Sequence, residues 1–537
     1  MHNVIIISIE FFLLQPLSNL HRIGQRPPAS RISLSILATL LAVLAIWPLA
    51  SLLQSGIQGV QDGLNNLGLD GSRQIRGTLV LLLGTAIIVA LLGTANGWLL
   101  VNCRFPLRRL LRVAQLIPLA TPAYLLAATL VDLGSQFGLI ISGMGWSIMV
   151  MVVATYPYVF LLSTESFAKC SQSQLEACRT LGVGPWSSFR RVALPMSMPA
   201  IGAGIALMGM EVVNELGAVE LLGIPTLSAG ILQAWQADSN PGGAIALALV
   251  ALVIIASLLV SERRLRQRSR RWTDSIRMSS CEGTAWVLGG WRAAIALSLC
   301  VVPPILSLAP PLVWLALNIG FFKQSLHLDI LSLTAQTLAL GLIATVLSVG
   351  SALMLSIAKR WDNAPWLQLL TFLAGLGYAV PGTVLALALL IAAAPLQLPS
   401  LLLLLWGYTD RFLAVSKGAL DAALERLSPS LEEAATSLNC PWPEVLRRIH
   451  LPLLRGPLAV GALLVFVDTI KELPLTFALR PFDFDTLAVR VFQYAGDERL
   501  GEALIPALVI LILGLLTSAS LAPELERTID NQSERNS

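Results

Sequence analysis

The repeated long apolar runs of this chain limit its fold more than any other feature. Leu34–Leu53, Leu79–Val101 and Ala244–Val260 each hold about enough residues to cross a hydrocarbon core of roughly 30 Å as a helix. Of 537 residues, 55% are hydrophobic and 13% charged, where a soluble domain carries roughly 25% charged residues. So few charges leave too little polar surface for a string of soluble domains. The expected fold class is an all-α polytopic membrane protein.

Twelve candidate spans follow from the apolar runs, near 32–53, 77–101, 112–132, 139–162, 196–218, 243–261, 293–318, 330–357, 366–392, 398–415, 453–475 and 503–521. With the N-terminus inside, most of the Lys and Arg residues fall in cytoplasmic segments, such as Arg104, Arg108, Arg109 and Arg112 in one loop and Arg447 and Arg448 in another. This is the positive-inside pattern, and it places both termini of a multi-pass chain on the cytoplasmic side. Residues 1–20 are apolar but contain Glu10, and they lack the basic start and cleavage site of a signal peptide. The expected divisions are an N-terminal cytoplasmic or interfacial segment (1–31), a first half (32–261), a basic linker (262–290), a second half (291–521) and a cytoplasmic tail (522–537). The six cysteines show no paired spacing, so no disulfide framework is expected.

The chain also matches itself. LEACRTLGVGPWSSFRRVALP (175–195) aligns with EEAATSLNCPWPEVLRRIHLP (432–452), an offset of 257 from 175 to 432. At that offset Glu211-x-x-x-Glu215 falls on Asp468-x-x-x-Glu472, and TLSAGILQ (226–233) matches TLAVRVFQ (486–493) at 260. Six spans per half is an even number, so two parallel six-helix repeats are related by an axis along the membrane normal, with a path expected between them. The arginine-rich ERRLRQRSRRW (262–272) joins the halves and reads as an anchor on anionic lipid.

Each copy of the repeated loop reads as a helix–turn–helix elbow outside the membrane. Leu175–Leu181 forms the first arm, Gly182 supplies a left-handed turn, and Trp186, Phe189 and Val192 lie on a second arm that Pro195 closes. In the second copy Asn439 takes the place of the glycine, and Asn is the next-best residue at positive φ. Arg190/Arg191 and Arg447/Arg448 lie on the second arms. A rigid elbow with an apolar face suits docking into a groove of a moving partner.

Glu176-Ala177-Cys178…Gly182…Leu194-Pro195 and Glu433-Ala434-Ala435…Asn439…Leu451-Pro452 resemble the coupling-loop signature of ABC importer permeases. The resemblance covers the full length and implies a type I ABC importer-like fold, with each elbow seated on one of two copies of a nucleotide-binding subunit. No GxxxxGK[ST] loop, G-x-S-x-G or H-E-x-x-H occurs in the sequence. The chain is therefore expected to bind no cofactor, ATP being hydrolysed by the partners, and to be a transport subunit rather than an enzyme. Nothing points to nucleic acid. The four histidines, His2, His21, His327 and His450, are scattered, and His450 reads as a solvated elbow residue.

Charges inside the membrane are costly and usually functional. Glu211 and Glu215 fall in the fifth span, and Asp468, Lys471 and Glu472 in the eleventh, each acidic pair spaced i,i+4 on one helix face. Four carboxylates converge if the two helices face each other. A hard multivalent cation, protonation, or pairing with Lys471, Arg480 or Arg490 would neutralise them. Glu215 lies twenty residues past Pro195, roughly 30 Å of helix, which places it near the outer mouth. Pathway lining, a structural salt-bridge cluster and simple exposure stand as open readings, and no metal ligand is assigned. The stretch 468–509, with GLGYAVPGTVLALAL (375–389) and IPLATPAYLLA (117–127), resembles ferric-iron permeases. That resemblance implies kinked spans at Pro122 and Pro381 and a periplasmic iron-binding protein as partner, which Asp483, Asp485, Asp497 and Glu498 of the outer loops would help seat. Thiamine, sulfate, polyamine and phosphonate permeases share the elbows and leave alternatives for the cargo. Paired elbows on a parallel repeat argue against a secondary transporter or a membrane enzyme.

Overall fold

The computed structural model describes residues 29–59, 68–169, 178, 180–274, 286–327, 330–362, 364–428, 430–438 and 440–530. The apolar stretch 1–20, the middle of the linker and the end of the tail lie outside the described residues. The first half runs through α1 (Ala29–Gln58), α2 (Gly68–Asn102), α3 (Arg108–Ala114), α4 (Ala123–Gln136), α5 (Met144–Lys169), α6 (Leu194–Asn214), α7 (Gly217–Leu221), α8 (Leu227–Leu232) and α9 (Pro241–Asp274). The second runs through α10 (Gly290–Leu317), α11 (Ile330–Trp361), α12 (Pro365–Ala374), α13 (Gly382–Ala393), α14 (Ser400–Glu425), α15 (Ser430–Ser437), α16 (Leu451–Ile470), α17 (Pro474–Leu479), α18 (Leu487–Gly496) and α19 (Leu504–Asp530).

All twelve expected spans fall on helices. Among the described residues eight helices are long and apolar enough to cross a membrane alone, and a ninth span is broken, its two parts meeting at 85°. The break has a local cause. Proline drives the residue before it away from the helical region, and Thr121 and Val380 are extended ahead of Pro122 and Pro381, each of which begins a new helix. The tenth span, α14, carries Asp410, Arg411, Lys417 and Asp421 within an otherwise apolar helix.

The two halves exchange their first helices. α1 packs on α11, α12 and α13 of the second half, and α10 packs on α2 and α4 of the first. Leu34, Ala38 and Ala42 are buried in one apolar cluster with Ala352, Leu355 and Leu413. Polar contacts reinforce both crossings: Asn96 and Gln115 donate to the carbonyls of Leu299 and Cys300 at 3.0 and 2.7 Å, and Trp406 donates to the carbonyl of Leu44 at 3.1 Å. Such bonds need no competition from water inside a bilayer, and they fix the register of helices that lipid alone would not drive together. On the outside, Leu83, Ile87 and Leu91 of α2 form an exposed apolar stripe at i,i+4 spacing, as expected of a lipid-facing surface.

The linker departs from a simple loop. α9 continues to Asp274, so the arginine-rich 262–272 is a helical extension of the sixth span. Further on, β2 (Trp286–Val287) pairs in parallel with β1 (Cys103–Arg104), Cys103 opposite Trp286. This two-residue ribbon is the one exception to an all-helical architecture among the described residues, and it pins the linker to the loop after α2.

Candidate functional site

A cavity of about 240 Å³ lies where the halves meet. All four expected acids, Glu211, Glu215, Asp468 and Glu472, line it. The walls come from the break at Pro122, from α5, from the ends of α6 and α16, and from α14. Acidic side chains outnumber basic ones four to two on the wall, the basic pair being Arg411 and Lys471. The cavity has room for several water molecules.

Glu215 and Glu472 do not lie on the helix faces that an i,i+4 spacing predicts. α6 ends at Asn214 and α16 at Ile470, and the chain restarts as α7 and α17. The first N–H groups of a helix have no partner within it and attract a carboxylate. The N–H of Ala218 donates to Glu215 Oε1 at 2.9 Å, and the N–H of Leu475 donates to Glu472 Oε1 at 3.1 Å. Both pairs sit at the 257 offset, so one device is built twice across the pseudo-twofold axis. Simple exposure is not what the structure gives for Glu472, which is 7% exposed. Glu215 is half-buried, short of the solvated outer position that its distance from Pro195 suggests.

The neutralising partners differ from those expected. Lys471 Nζ lies 2.9 Å from Asp468 Oδ1, as foreseen. Arg480 and Arg490, by contrast, both pair with Asp485. Arg411 takes the role instead, its Nε 3.4 Å from Glu472 Oε2 and its Nη1 donating to the carbonyl of Val380 at 2.9 Å. That carbonyl is the one released by the break before Pro381. One guanidinium therefore closes the broken span and balances a buried acid. Sequence reasoning missed Arg411, although a charge inside the apolar run at 398–415 was the signal that singled out the other five.

The halves meet closely around this cavity. Asn214 Oδ1 accepts the N–H of Gly382 at 2.7 Å, so a first-half residue caps the first turn of α13 in the second half. Gly217 lies against Tyr124 and Leu473, where a Cβ would stand 2.5 Å from the Cβ of Tyr124. Only glycine permits that approach. Tyr124, Tyr158 and Tyr378 add hydroxyl-bearing rings to the wall. Among the described residues, no group of three or more His, Cys, Asp or Glu side chains is arranged to hold a metal ion.

The elbows form at the other end of α6 and α16. Glu176, Ala177 and Asn439 lie outside the described residues. Gly182 has φ +71°, as its place in the turn requires. The N–H of Val183 bonds to the carbonyl of Cys178 at 2.8 Å, a Schellman closure, and Cys440 bonds to Ala435 at 3.1 Å, again at the 257 offset. Glu433 and Ala434 are exposed on α15. Leu181 and Leu438, also 257 apart, are 80% and 78% exposed. An apolar side chain held out of the fold at the same place in both copies is a contact surface in form.

Pro195 and Pro452 do not close the second arms. The arms run on through π-helical turns, Phe189–Ala193 and Leu446–His450, into α6 and α16. Trp186–Asn214 and Trp442–Ile470 are thus continuous rods of 29 residues each. Proline has no N–H to offer the preceding turn, and the widened turn accommodates that loss without ending the helix. Leu194 and Leu451 stand at the two seams. Each rod therefore has an elbow arm at one end and cavity acids at the other.

His450 is another correction. It is fully buried, and its Nε2 lies 2.8 Å from Glu432 Oε1, which Arg360 Nε also reaches at 2.5 Å. Burial alone would raise the Glu432 carboxyl, but its contacts to His450 and Arg360 outweigh that and hold it below the usual carboxylate range.

Residues 86–271 and 350–522 each match the family described as the binding-protein-dependent transport system inner membrane component. An Fe(3+)-transport system permease protein of Haemophilus influenzae is 25% identical over 449 residues, covering 81% of this chain and 86% of its own length. A probable sulfate transport system permease protein of Nephroselmis olivacea is 30% identical over 210 residues, 35% of this chain and 74% of its own. A molybdenum transport system permease protein of Escherichia coli is 28% identical over 205 residues, 33% of this chain and 88% of its own. With a match in each half, paired elbows and a cavity between the halves, the chain belongs to the family of binding-protein-dependent transport system inner membrane components and is a multi-pass permease subunit of an ABC importer.

Proposed function

We propose that this permease moves ferric iron across the inner membrane. The observation that carries the cargo is the likeness to an Fe(3+)-transport permease over 81% of the chain, both halves included, where the sulfate and molybdenum relatives each match about a third. The acid-rich cavity supports it, because a hard, highly charged cation is suited by carboxylate oxygens and an oxyanion is not. Glu211, Glu215, Asp468 and Glu472 serve as a waypoint through which the ion passes.

Two copies of an ATPase subunit dock on the elbows 175–195 and 432–452 from the cytoplasm, where both termini also lie, and they hydrolyse the ATP. Exposed Leu181 and Leu438 support paired docking, and the 29-residue rods give it a route to the cavity. A periplasmic iron-binding protein seats on the opposite face, where Asp483, Asp497, Glu498 and Phe482 are exposed. The test is complementation. In cells lacking their own ferric uptake, the full operon restores growth on iron-poor medium, and the Leu181→Asp, Leu438→Asp permease does not. Restored molybdate or sulfate uptake without iron uptake moves the cargo to an oxyanion.

A further inference from the structure

The two elbows share their Schellman closures and π-helical turns and differ in the contacts that their described residues make. In the second, Glu432 opens α15 and receives Arg360 from the end of α11 and His450 from the second arm. Arg360 also donates to the carbonyls of Leu424 and Leu427, the latter at 2.8 Å, where α14 has run out of its own donors. A single carboxylate with one guanidinium thus ties two spans and both arms of the elbow together. At the 257 offset the first elbow has Leu175 and Ala193 where the second has Glu432 and His450. Among the described residues the first elbow is held by an aromatic seat: Trp98 lies 5.5 Å from Phe167 and 5.1 Å from Phe189, with Ala193 buried among them.

A charged clamp and an aromatic seat respond differently to load. Charge-assisted bonds fix distance and angle, and an Arg fork fixes both more tightly than a point charge. An aromatic cluster holds by area and tolerates sliding. We propose that Glu432, gripped by Arg360 and His450, is a positioning residue that makes the second elbow a rigid strut, while the first elbow is a compliant one. The two ATPase contacts are then inequivalent, and ATP-driven movement enters chiefly through the 29-residue rod that starts at Trp442. The inference rests on reading the elbows as the ATPase docking sites.

The experiment uses the whole complex, permease with ATPase subunits and ferric-loaded binding protein, in lipid vesicles. Iron carried per ATP hydrolysed is measured for Glu432→Gln, Arg360→Gln, Arg360→Lys and, at the other elbow, Phe189→Ala. A role in folding alone lowers uptake and hydrolysis together and leaves their ratio unchanged. The positioning role lowers the ratio about tenfold or more in Glu432→Gln and Arg360→Gln. Arg360→Lys falls between these and the parent, and Phe189→Ala changes the ratio much less. A parent-like ratio in both charge-removing variants overturns the proposal, as does an equal fall at the first elbow. Leu438→Asp in the same vesicles checks the docking reading separately: full ATPase retention there refutes docking whatever Glu432 does.

Discussion

Replacing Arg411 by leucine removes a cation whose side chain is 6% exposed and whose partner, Glu472, is 8% exposed at 3.4 Å. The acid keeps the N–H of Leu475 on one oxygen and loses the charge facing the other. The carbonyl of Val380, freed by the break before Pro381, loses its donor as well. Removing one member of a buried pair costs about 3–5 kcal/mol, and an orphaned buried carbonyl accounts for about 1–3 of that. In a Glu472→Leu background the same replacement strands the carbonyl but no longer unpairs Glu472, so its cost drops to about 1–3 kcal/mol. The coupling between the two sites is the difference, about 2 kcal/mol. A double-mutant cycle read by detergent unfolding of the purified permease measures it. An Arg411→Leu protein within 1 kcal/mol of the parent would refute the reasoning, as would an identical loss in the two backgrounds.

Three further outcomes follow from the same geometry. Neutralising both cap acids, Glu215→Gln with Glu472→Gln, cuts iron uptake far more than either change alone if they form the waypoint, while binding-protein affinity stays at the parent level. A loss of complex yield with proportionate uptake assigns them a structural role instead. Gly182→Val forces a β-branched residue to φ +71°, costs about 1–2 kcal/mol at the first turn, and lowers iron transport per ATP while membrane insertion remains normal. Full ATPase stimulation in that variant rejects the elbow assignment. For pH, the depressed Glu432 carboxyl is ionised and clamped by Arg360 and His450 at neutrality. Because its folded value lies below the ordinary carboxylate value of about 4.3, its stabilisation is present above that pH and is lost as pH falls through the lower folded value. The protection of α15 amides against hydrogen exchange, corrected for the intrinsic pH dependence of exchange, therefore holds from neutral pH to about 5 and falls only below about 4.3. Protection that already falls near pH 6 contradicts the clamp.

Much of this was legible before any coordinates. Run length pointed to the helical stretches because a bilayer imposes it, and the offset of 257 held through features that only geometry reveals, including the Schellman closures, the π-helical turns and the two acid caps. What escaped had specific physical reasons. The exchange of α1 and α10 between halves is a matter of tertiary packing, which leaves no periodic trace in the sequence. Spacing alone put Glu215 on a helix face, and the chain turned extended there because α7 begins two residues on. His450 read as solvated because its partner Glu432 stands 18 positions away, and Arg360, which shares that carboxylate, 90 away. Pro195 read as a stop, since the rule for proline in helices takes no account of a π-helical turn that absorbs its missing N–H.

The central claim is that two docked ATPases drive ferric iron through the acid-lined cavity between the halves. Its most direct measurement is radioactive iron uptake into vesicles holding the purified permease with its ATPase subunits, supplied with ferric-loaded binding protein and ATP. The account predicts ATP-dependent iron accumulation, with two ATPase copies per chain, that falls to background in the Glu215→Gln, Glu472→Gln permease while the complex stays assembled. Full iron accumulation by that variant, or accumulation of sulfate or molybdate and no iron by the parent, contradicts it.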